Sequence, residues 1–477
     1  MTDMSWLIGT FLVISHIAGV LTAIVALMSS RTSQGAVAWI VTLISFPYFS
    51  VPIFWTFGRP RFYGYVSARG ERDTVLRQVL QRYRGHMETY VSRPDSVSGR
   101  IRAVEQLAMM PMTRGNRVDL LIDGEAAFDS LFEGIDQAED YILVQFFIVR
   151  ADEIGMAFKR RLIRQAEHGI NVYFLYDEIG SRGLPGGYLR DLEDAGVRVT
   201  AFNSSRGWWR HRFQINFRNH RKILVVDGRV GWTGGLNVAD EYLGRVERYG
   251  PWRDTHLRLQ GPSVLALQEA FWEDWYWATG DILALHWITH DIPDASQHVA
   301  IVPSGPADGR ETASLLIQHA IHGARERLWV TSPYFVPDHG VQDALTLAAL
   351  RGVDVRVLIP ERPDHLLVFL SAFAFLPEMI RNGVKIYRYQ PGFLHQKTLL
   401  VDDHTAMVGT VNLDNRSFRL NFEVTAYVPD KTFAAEVHAM LAQDFSVSRQ
   451  VTERELAERP LWRKVVSRAT YLLSPVQ

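Results

Sequence analysis

The feature that most constrains this chain is a nine-residue stretch that occurs twice. Asn219-His220-Arg221-Lys222-Ile223-Leu224-Val225-Val226-Asp227 is followed by Gly234-Gly235-Leu236-Asn237, and Leu394-His395-Gln396-Lys397-Thr398-Leu399-Leu400-Val401-Asp402 by Gly409-Thr410-Val411-Asn412. In both copies Lys stands two residues after His, Asp five after Lys, and Asn seventeen after His. A lone His-x-Lys carries no information. Two copies that agree at four spaced positions, each set in an apolar run, carry a great deal.

The apolar runs Ile223–Val226 and Thr398–Val401 read as buried β-strands, whose side chains alternate between faces. His and Lys two residues apart therefore point into one small volume. The Asn comes from the loop after the strand, beside glycines that let backbone approach a ligand closely. Each copy thus supplies an imidazole, a fixed positive charge and an amide donor, and two copies facing one another would enclose a phosphate.

The surroundings repeat too. Tyr141–Arg150 matches Leu328–Val336, Gly169–Leu175 matches Gly352–Leu358, and Gly196–Val199 matches Gly383–Ile386. Phe128, Leu131, Phe132 and Ile135 fall at helical spacing, as do Leu316, Ala320 and Ile321, and both sets are expected in the core. Strands alternating with helical patterns predict βαβ units and mixed, mostly parallel sheets. The two motifs are offset by fewer residues than the strands before them, so the first half carries extra chain ahead of its motif. That chain is Ser204–Gln214, where Trp and Phe interleave with Arg. Such a composition suits the headgroup level of a bilayer, and equally a loop packed on the rim of a site.

Two apolar segments, Trp6–Met28 and Gly35–Phe57, contain no Asp, Glu, Lys or Arg. At ~1.5 Å per residue each is long enough for a hydrocarbon core of about 30 Å. No basic residue precedes the first, which argues against a cleaved signal peptide. A two-helix membrane anchor is the expectation, with Pro47 and Pro52 as places where the second helix can bend. The short link holds only Arg31, whereas Arg59, Arg61, Arg69 and Arg72 follow the second segment. The positive-inside rule then puts the N-terminus and the catalytic part on the cytoplasmic side of a cell (inner) membrane, with the chain multi-pass.

The expected organisation is an anchor over 1–62 (helices about 6–28 and 35–57), a polar helical connector over 63–115, and two homologous α/β/α halves over 116–285 and 286–477. Within the second half, His365–Ile380 is apolar and reads either as a core helix or as a wall accommodating acyl chains. The closing run Leu461–Ala469 is basic and amphipathic, suited to a membrane surface or to docking on the domain.

Composition narrows the chemistry. Lys+Arg 51 against Asp+Glu 52 gives a net charge of −1, which provides no field for a nucleic acid. The absence of cysteine excludes disulfides, thiolate metal sites and a cysteine nucleophile. A metal site is disfavoured because each His shares its volume with a Lys that would repel a dication. Neither metal nor cofactor is therefore expected. Phosphoryl chemistry suits the parts better: the Lys and Asn side chains stabilise charge on a five-coordinate phosphorus, one neutral imidazole attacks, and the other transfers the proton. The two imidazoles must then differ in protonation, and Asp254 and Glu423, which open comparable strands after the two motifs, are the candidate histidine-orienting carboxylates. The candidate catalytic set is His220, Lys222, Asp227, His395, Lys397 and Asp402, with Asn237 and Asn412 binding substrate phosphate. Within it, Asp227 and Asp402 fall at strand ends and are expected to hold the turns.

These motifs resemble those of the phospholipase D superfamily and, more narrowly, its bacterial cardiolipin synthases. The likeness extends over Asn116–Gly124, Gln145–Gly155, Asp177–Ser181, Phe213–Gly244 and Leu472–Pro475, as well as the N-terminal apolar pair. Thr410 departs from the Ser found in many members, but keeps the hydroxyl. The resemblance implies two phospholipase D-type halves facing across a pseudo-two-fold. It also implies transfer of a phosphatidyl group between two phosphatidylglycerol molecules, giving cardiolipin and glycerol through a phosphatidyl-histidine, with His220 attacking and His395 as acid/base. Hydrolysis, or transfer to other acceptors such as phosphatidylethanolamine, uses the same parts. The expected partners are phosphatidylglycerol, cardiolipin and the bilayer, and no nucleic acid; a homo-oligomer is compatible with all of this.

Overall fold

A computed structural model describes residues 2–58, 65, 85, 88–92, 98–202 and 216–474. The Trp/Arg-rich insertion and most of the connector lie outside the described residues. The chain divides into two units, an N-terminal one and a much larger one that contains both motifs.

In the N-terminal unit the helix Thr2–Ser29 includes Trp6–Ser29, long and apolar enough to cross a membrane, with a mean hydropathy of 2.4. The second apolar segment is not the single helix expected over about 35–57. It forms a helix Ser33–Ser45, capped by the Thr32 hydroxyl on the Gly35 N–H, breaks at Phe46, and resumes as Pro47–Ile53 and a π-turn Phe54–Gly58. The break has a local cause. Pro47 disfavours α backbone at the residue before it, and Phe46 sits at φ −138°, ψ 57°. The pieces fold back on the first helix, where the Leu43 carbonyl comes so close to Gly19 that any side chain would collide with it. Trp55 Nε1 donates to Thr22 Oγ1 at 3.3 Å.

In the large unit the motif strands become central because Ile223–Val226 and Thr398–Val401 are buried along their whole length. Helices cover them: Asp123–Asp136 and Ser263–Thr279 in the first half, Thr312–Gly323 and Lys431–Ser446 in the second. Phe128, Leu131 and Ile135, and Leu316, Ala320 and Ile321, are buried as their spacing predicts, with Phe132 partly so.

The strands join in one continuous sheet whose centre is Thr113–Ile122 paired antiparallel with Gln297–Ser304. Outward on one side come Thr255–Gln260, Val230–Gly234, Ile223–Val226, Tyr141–Phe146, Asn171–Tyr176 and Arg198–Ala201. On the other come Asn421–Val428, Thr405–Gly409, Thr398–Val401, Arg327–Thr331, Asp354–Pro360, Lys385–Tyr389 and Ser448–Gln450. The expectation of mostly parallel sheets is corrected. Parallel pairing within this order is confined to two outer runs, Tyr141–Phe146 with Asn171–Tyr176 and that strand with Arg198–Ala201, and Arg327–Thr331 with Asp354–Pro360 and that strand with Lys385–Tyr389, where helices make the crossovers. Elsewhere pairing is antiparallel: tight turns such as Asp227–Arg229 enforce it between Ile223–Val226 and Val230–Gly234 and between Thr398–Val401 and Thr405–Gly409, while other antiparallel neighbours, such as Tyr141–Phe146 and Ile223–Val226, meet from distant parts of the chain.

Candidate active site

Each His-x-Lys lies in an extended segment just before its strand, so side chains alternate as expected. His220 and Lys222 share one side; Arg221 points the other way, 2.9 Å from Asp274 near the end of the covering helix. In the second copy His395 and Lys397 share a side, and Gln396 Nε2 donates to Asp444 Oδ2 at 3.1 Å. Each Lys ammonium folds back on its own motif, Lys222 Nζ donating to the His220 carbonyl (2.7 Å) and Lys397 Nζ to that of His395 (2.5 Å).

The carboxylates are exchanged between halves. His220 Nδ1 is 2.8 Å from Glu423 Oε2, and His395 Nδ1 is 2.7 Å from Asp254 Oδ2. The backbone enforces the exchange. His220 N–H donates to the Phe422 carbonyl (2.9 Å) and His395 N–H to that of Arg253 (2.8 Å), in each case the residue just before the carboxylate. Short parallel pairings extend these contacts, Arg218–Asn219 with Asn421–Phe422 and Phe393–Leu394 with Trp252–Arg253. With Nδ1 engaged, Nε2 is left as the reactive nitrogen of both rings.

The two histidines differ in surroundings. His395 packs among Trp252, Tyr242 and Phe393, with ring centroids 5.2, 5.8 and 6.1 Å away, whereas His220 meets Phe147 at 5.0 Å. Burial lowers His220 to about 4, with Glu423 opposing and Lys222 and Lys397 assisting. Burial, Lys397 and Lys222 hold His395 well below its ordinary value. Burial also lowers Lys222 to about 7 and Lys397 to about 8. These mutual influences put both His-Lys pairs within one electrostatic cluster.

The carboxylates differ as well. Burial pushes Asp254 up to about 6, against Lys397, the Thr255 N–H and Trp252 Nε1–H. For Glu423 burial is outweighed by His220, Lys222 and the Thr410 hydroxyl, which donates to Oε2 at 2.5 Å, and the group falls below its usual range. At the position matching Thr410 the first copy has Gly235, and a Cβ there would lie 1.9 Å from Asp254 Oδ1.

The remaining motif residues separate into two groups. Asn237 Oδ1 accepts from Ile148 N–H (3.1 Å) and its Nδ2 donates to Tyr242 OH (2.5 Å), whereas the buried Asn412 Oδ1 has no hydrogen-bond partner among the described residues. Asp227 and Asp402 are not brought to the histidines. Asp227 accepts the N–H groups of Glu139, Asp140 and Tyr141 at the far end of its strand, and Asp402 those of Arg325, Glu326 and Arg327. Both have positive φ, 54° and 52°. They hold the turns at the far ends of the motif strands, as their spacing leads one to expect.

Other residues enter that sequence reasoning missed. Asp364, whose carboxylate accepts Tyr334 OH at 2.5 Å, raises the affinity of His395 and Lys397 for protons. It has no counterpart in the motif spacing, so no sequence signal marked it. His256, two residues beyond Asp254, is buried with neither ring nitrogen hydrogen-bonded among the described residues, and burial lowers it to about 4. Among the described residues no three His, Asp or Glu side chains converge to hold a metal ion.

A family model described as the phospholipase D-like domain of cardiolipin synthase matches residues 131–275 and again 317–445. Cardiolipin synthase A of Pseudomonas putida GB-1 is 45% identical over 471 residues, 98% of each chain. That of Pseudomonas syringae pv. syringae B728a is 45% identical over 464 residues, 97% of this chain and 96% of its own. The crystal structure of phosphatidylserine synthase from Haemophilus influenzae shares the fold, with a TM-score of 0.59 at 16% identity over 79% of this chain and 100% of its own.

Proposed function

The chain belongs to the cardiolipin synthase family of phospholipase D-like proteins, and from that premise we propose that it transfers a phosphatidyl group from one phosphatidylglycerol to another through a covalent phosphatidyl-histidine. The observation that carries the mechanism is the pair of buried histidines, each bound at Nδ1 by a carboxylate of the opposite half.

His220 Nε2 attacks phosphorus while the P–O bond to the glycerol headgroup breaks. His395, protonated, gives its proton to that glycerol oxygen, and glycerol leaves. The headgroup hydroxyl of a second phosphatidylglycerol then attacks phosphorus, His395 takes its proton, the P–N bond breaks, and cardiolipin is released. Both rings are neutral in the free protein, the form needed for attack. The anionic phosphodiester, arriving between Lys222 and Lys397, raises the proton affinity of His395, which takes up one proton from solvent as substrate binds and returns it when cardiolipin leaves. The lysines, with Asn237 and Asn412, stabilise the additional charge on the non-bridging oxygens as the five-coordinate state forms. The step draws on no metal or nucleotide.

The organisation that goes with this mechanism is an anchor over 1–62 crossing a bacterial cell membrane twice, a connector over 63–115, and halves over 116–285 and 286–477 related by a pseudo-two-fold, with the catalytic part cytoplasmic. The matching strand order outward from the central pair supports the relation of the halves. The apolar Trp6–Ser29 supports membrane association.

Purified protein in liposomes, given phosphatidylglycerol alone, is expected to release glycerol and cardiolipin in equal amounts. Denaturing quench under mildly alkaline conditions is expected to trap an acid-labile phosphatidyl group on a peptide containing His220, and none in His220→Ala. Phosphatidic acid as the main product would overturn the transferase reading. Label on His395 instead would reverse the two roles.

A further inference from the structure

The helix Leu461–Tyr471 is turned inside out for an aqueous setting. Its protein-facing side carries Ser467 and Thr470, both buried, while Leu461, Trp462, Val465 and Leu472 just beyond it are 77, 62, 58 and 76% exposed. At about 100° per residue, Leu461, Val465 and Leu472 fall on one outward stripe. Exposed Lys464 and Arg468 flank it, and Arg463 lies over the Trp462 ring. An apolar patch with a charged rim marks a surface that meets something else.

The patch is larger than one helix. Leu461–Tyr471 packs on the short helix Leu366–Ala372, which turns Leu366 and Leu367 outward, and the Phe375 and Tyr471 rings meet at 5.3 Å. Leu366 follows two residues after Asp364, the carboxylate that acts on His395 and Lys397. The exposed apolar surface therefore adjoins the rim of the catalytic cluster.

We propose that this surface, formed by Leu366, Leu367, Leu461, Trp462, Val465 and Leu472, seats the catalytic unit on an anionic lipid bilayer, with the site opening beside it. The apolar stripe enters the boundary between headgroups and acyl chains, and Lys464 and Arg468 lie at the level of lipid phosphates. The basic flank argues for anionic lipid over a second copy of this chain, since a like-charged flank opposes self-association across the same face. The function proposed above adds that the reacting lipids reside in a bilayer, but contact with lipid is tested without it.

The chain has no cysteine, so a single one can be labelled with an environment-sensitive fluorophore. Full-length Val465→Cys, reconstituted in vesicles of phosphatidylglycerol and phosphatidylcholine, is expected to be quenched by lipids brominated on their acyl chains. Leu350→Cys, at an exposed position on another helix, is expected to remain open to aqueous iodide. The combined Leu461→Ser, Val465→Ser and Leu472→Ser variant is expected to lose about tenfold in turnover on vesicles, and less than twofold on short-chain phosphatidylglycerol below its micelle concentration. A label at 465 as open to iodide in vesicles as that at 350 overturns the proposal, whether or not the chain makes cardiolipin. So does a label whose burial rises with protein density in the membrane, which assigns the face to a second copy.

Discussion

His220 Nδ1 lies 2.8 Å from Oε2 of Glu423, 203 residues along the chain, while the carboxylate of its own half, Asp254, lies 2.7 Å from His395 Nδ1. Each half therefore supplies an imidazole and lends its carboxylate to the other. Neither half contains a complete histidine-carboxylate pair; each pair exists only where the halves join.

Neutralising either carboxylate should separate chemistry from binding. Glu423→Gln and Asp254→Asn are expected to lower kcat by about 10²–10⁴-fold with KM changed far less, because orientation of the imidazole and stabilisation of imidazolium are lost while the lysines remain. Adding Glu423→Gln to His220→Ala should cost little more than His220→Ala alone, since residues acting as one unit are not additive. Steady-state kinetics on phosphatidylglycerol decide this, and a full multiplicative loss would remove Glu423 from its role.

Gly235→Ala tests the same geometry from the backbone side. A Cβ would lie 1.9 Å from Asp254 Oδ1, so the carboxylate must leave His395. Turnover is expected to fall at least tenfold, accompanied by ~1–3 kcal/mol of destabilisation from overpacking. Unchanged activity would mean that Asp254 is free to move without consequence.

Asp227→Ala and Asp402→Ala should behave differently from any histidine or lysine variant. Each loses a side-chain acceptor of backbone N–H groups and places Ala at positive φ. Roughly 2–4 kcal/mol of stability is the expected loss, seen as a lower unfolding midpoint. The fraction that remains folded should keep kcat within a few-fold. Total inactivity in well-folded protein would return these residues to the catalytic set.

Two pH dependences follow from burial. Lys222 near 7 and Lys397 near 8 lose their charge in the free enzyme as pH rises through that range, so kcat/KM should fall above about pH 7. Bound phosphodiester favours the charged lysines, so the same limb in kcat should lie at higher pH. Stability follows the histidines. His220 and His256 sit at about 4 when folded against about 6.5 when unfolded. Between those values the unfolded chain binds more protons at these two groups, which lowers stability as pH drops from about 6.5 toward 4, while Asp254, raised to about 6 when folded, opposes them below about pH 6. Unfolding midpoints measured from pH 7.5 to 4.5 check the sign.

Much of the site was legible in the sequence because it is local. The His-x-Lys spacing fixes two side chains on one face of extended backbone, and an uninterrupted apolar run fixes that backbone as a buried strand. The repeat identified two such units, and Asp254 and Glu423 stood out by opening corresponding strands. Pro47 marked where the second apolar segment breaks, although the conformation of Phe46 needed the three-dimensional structure.

Local spacing is enough to read off the inventory: two imidazoles, two ammonium groups, two amides and two carboxylates in matched settings. The pairing among them comes from long-range packing. Glu423 reaches His220 because Asn421–Phe422 hydrogen-bonds to the segment leading into the first motif, and Asp254 reaches His395 by the reciprocal contact. The direction of the sheet was decided there as well, since most antiparallel neighbours, such as Tyr141–Phe146 and Ile223–Val226, meet across long stretches of chain that apolar periodicity does not report. Local spacing fixes which face a side chain occupies. Which group meets it there depends on long-range packing, and that also left Gly235 beside one carboxylate and a Thr410 hydroxyl on the other.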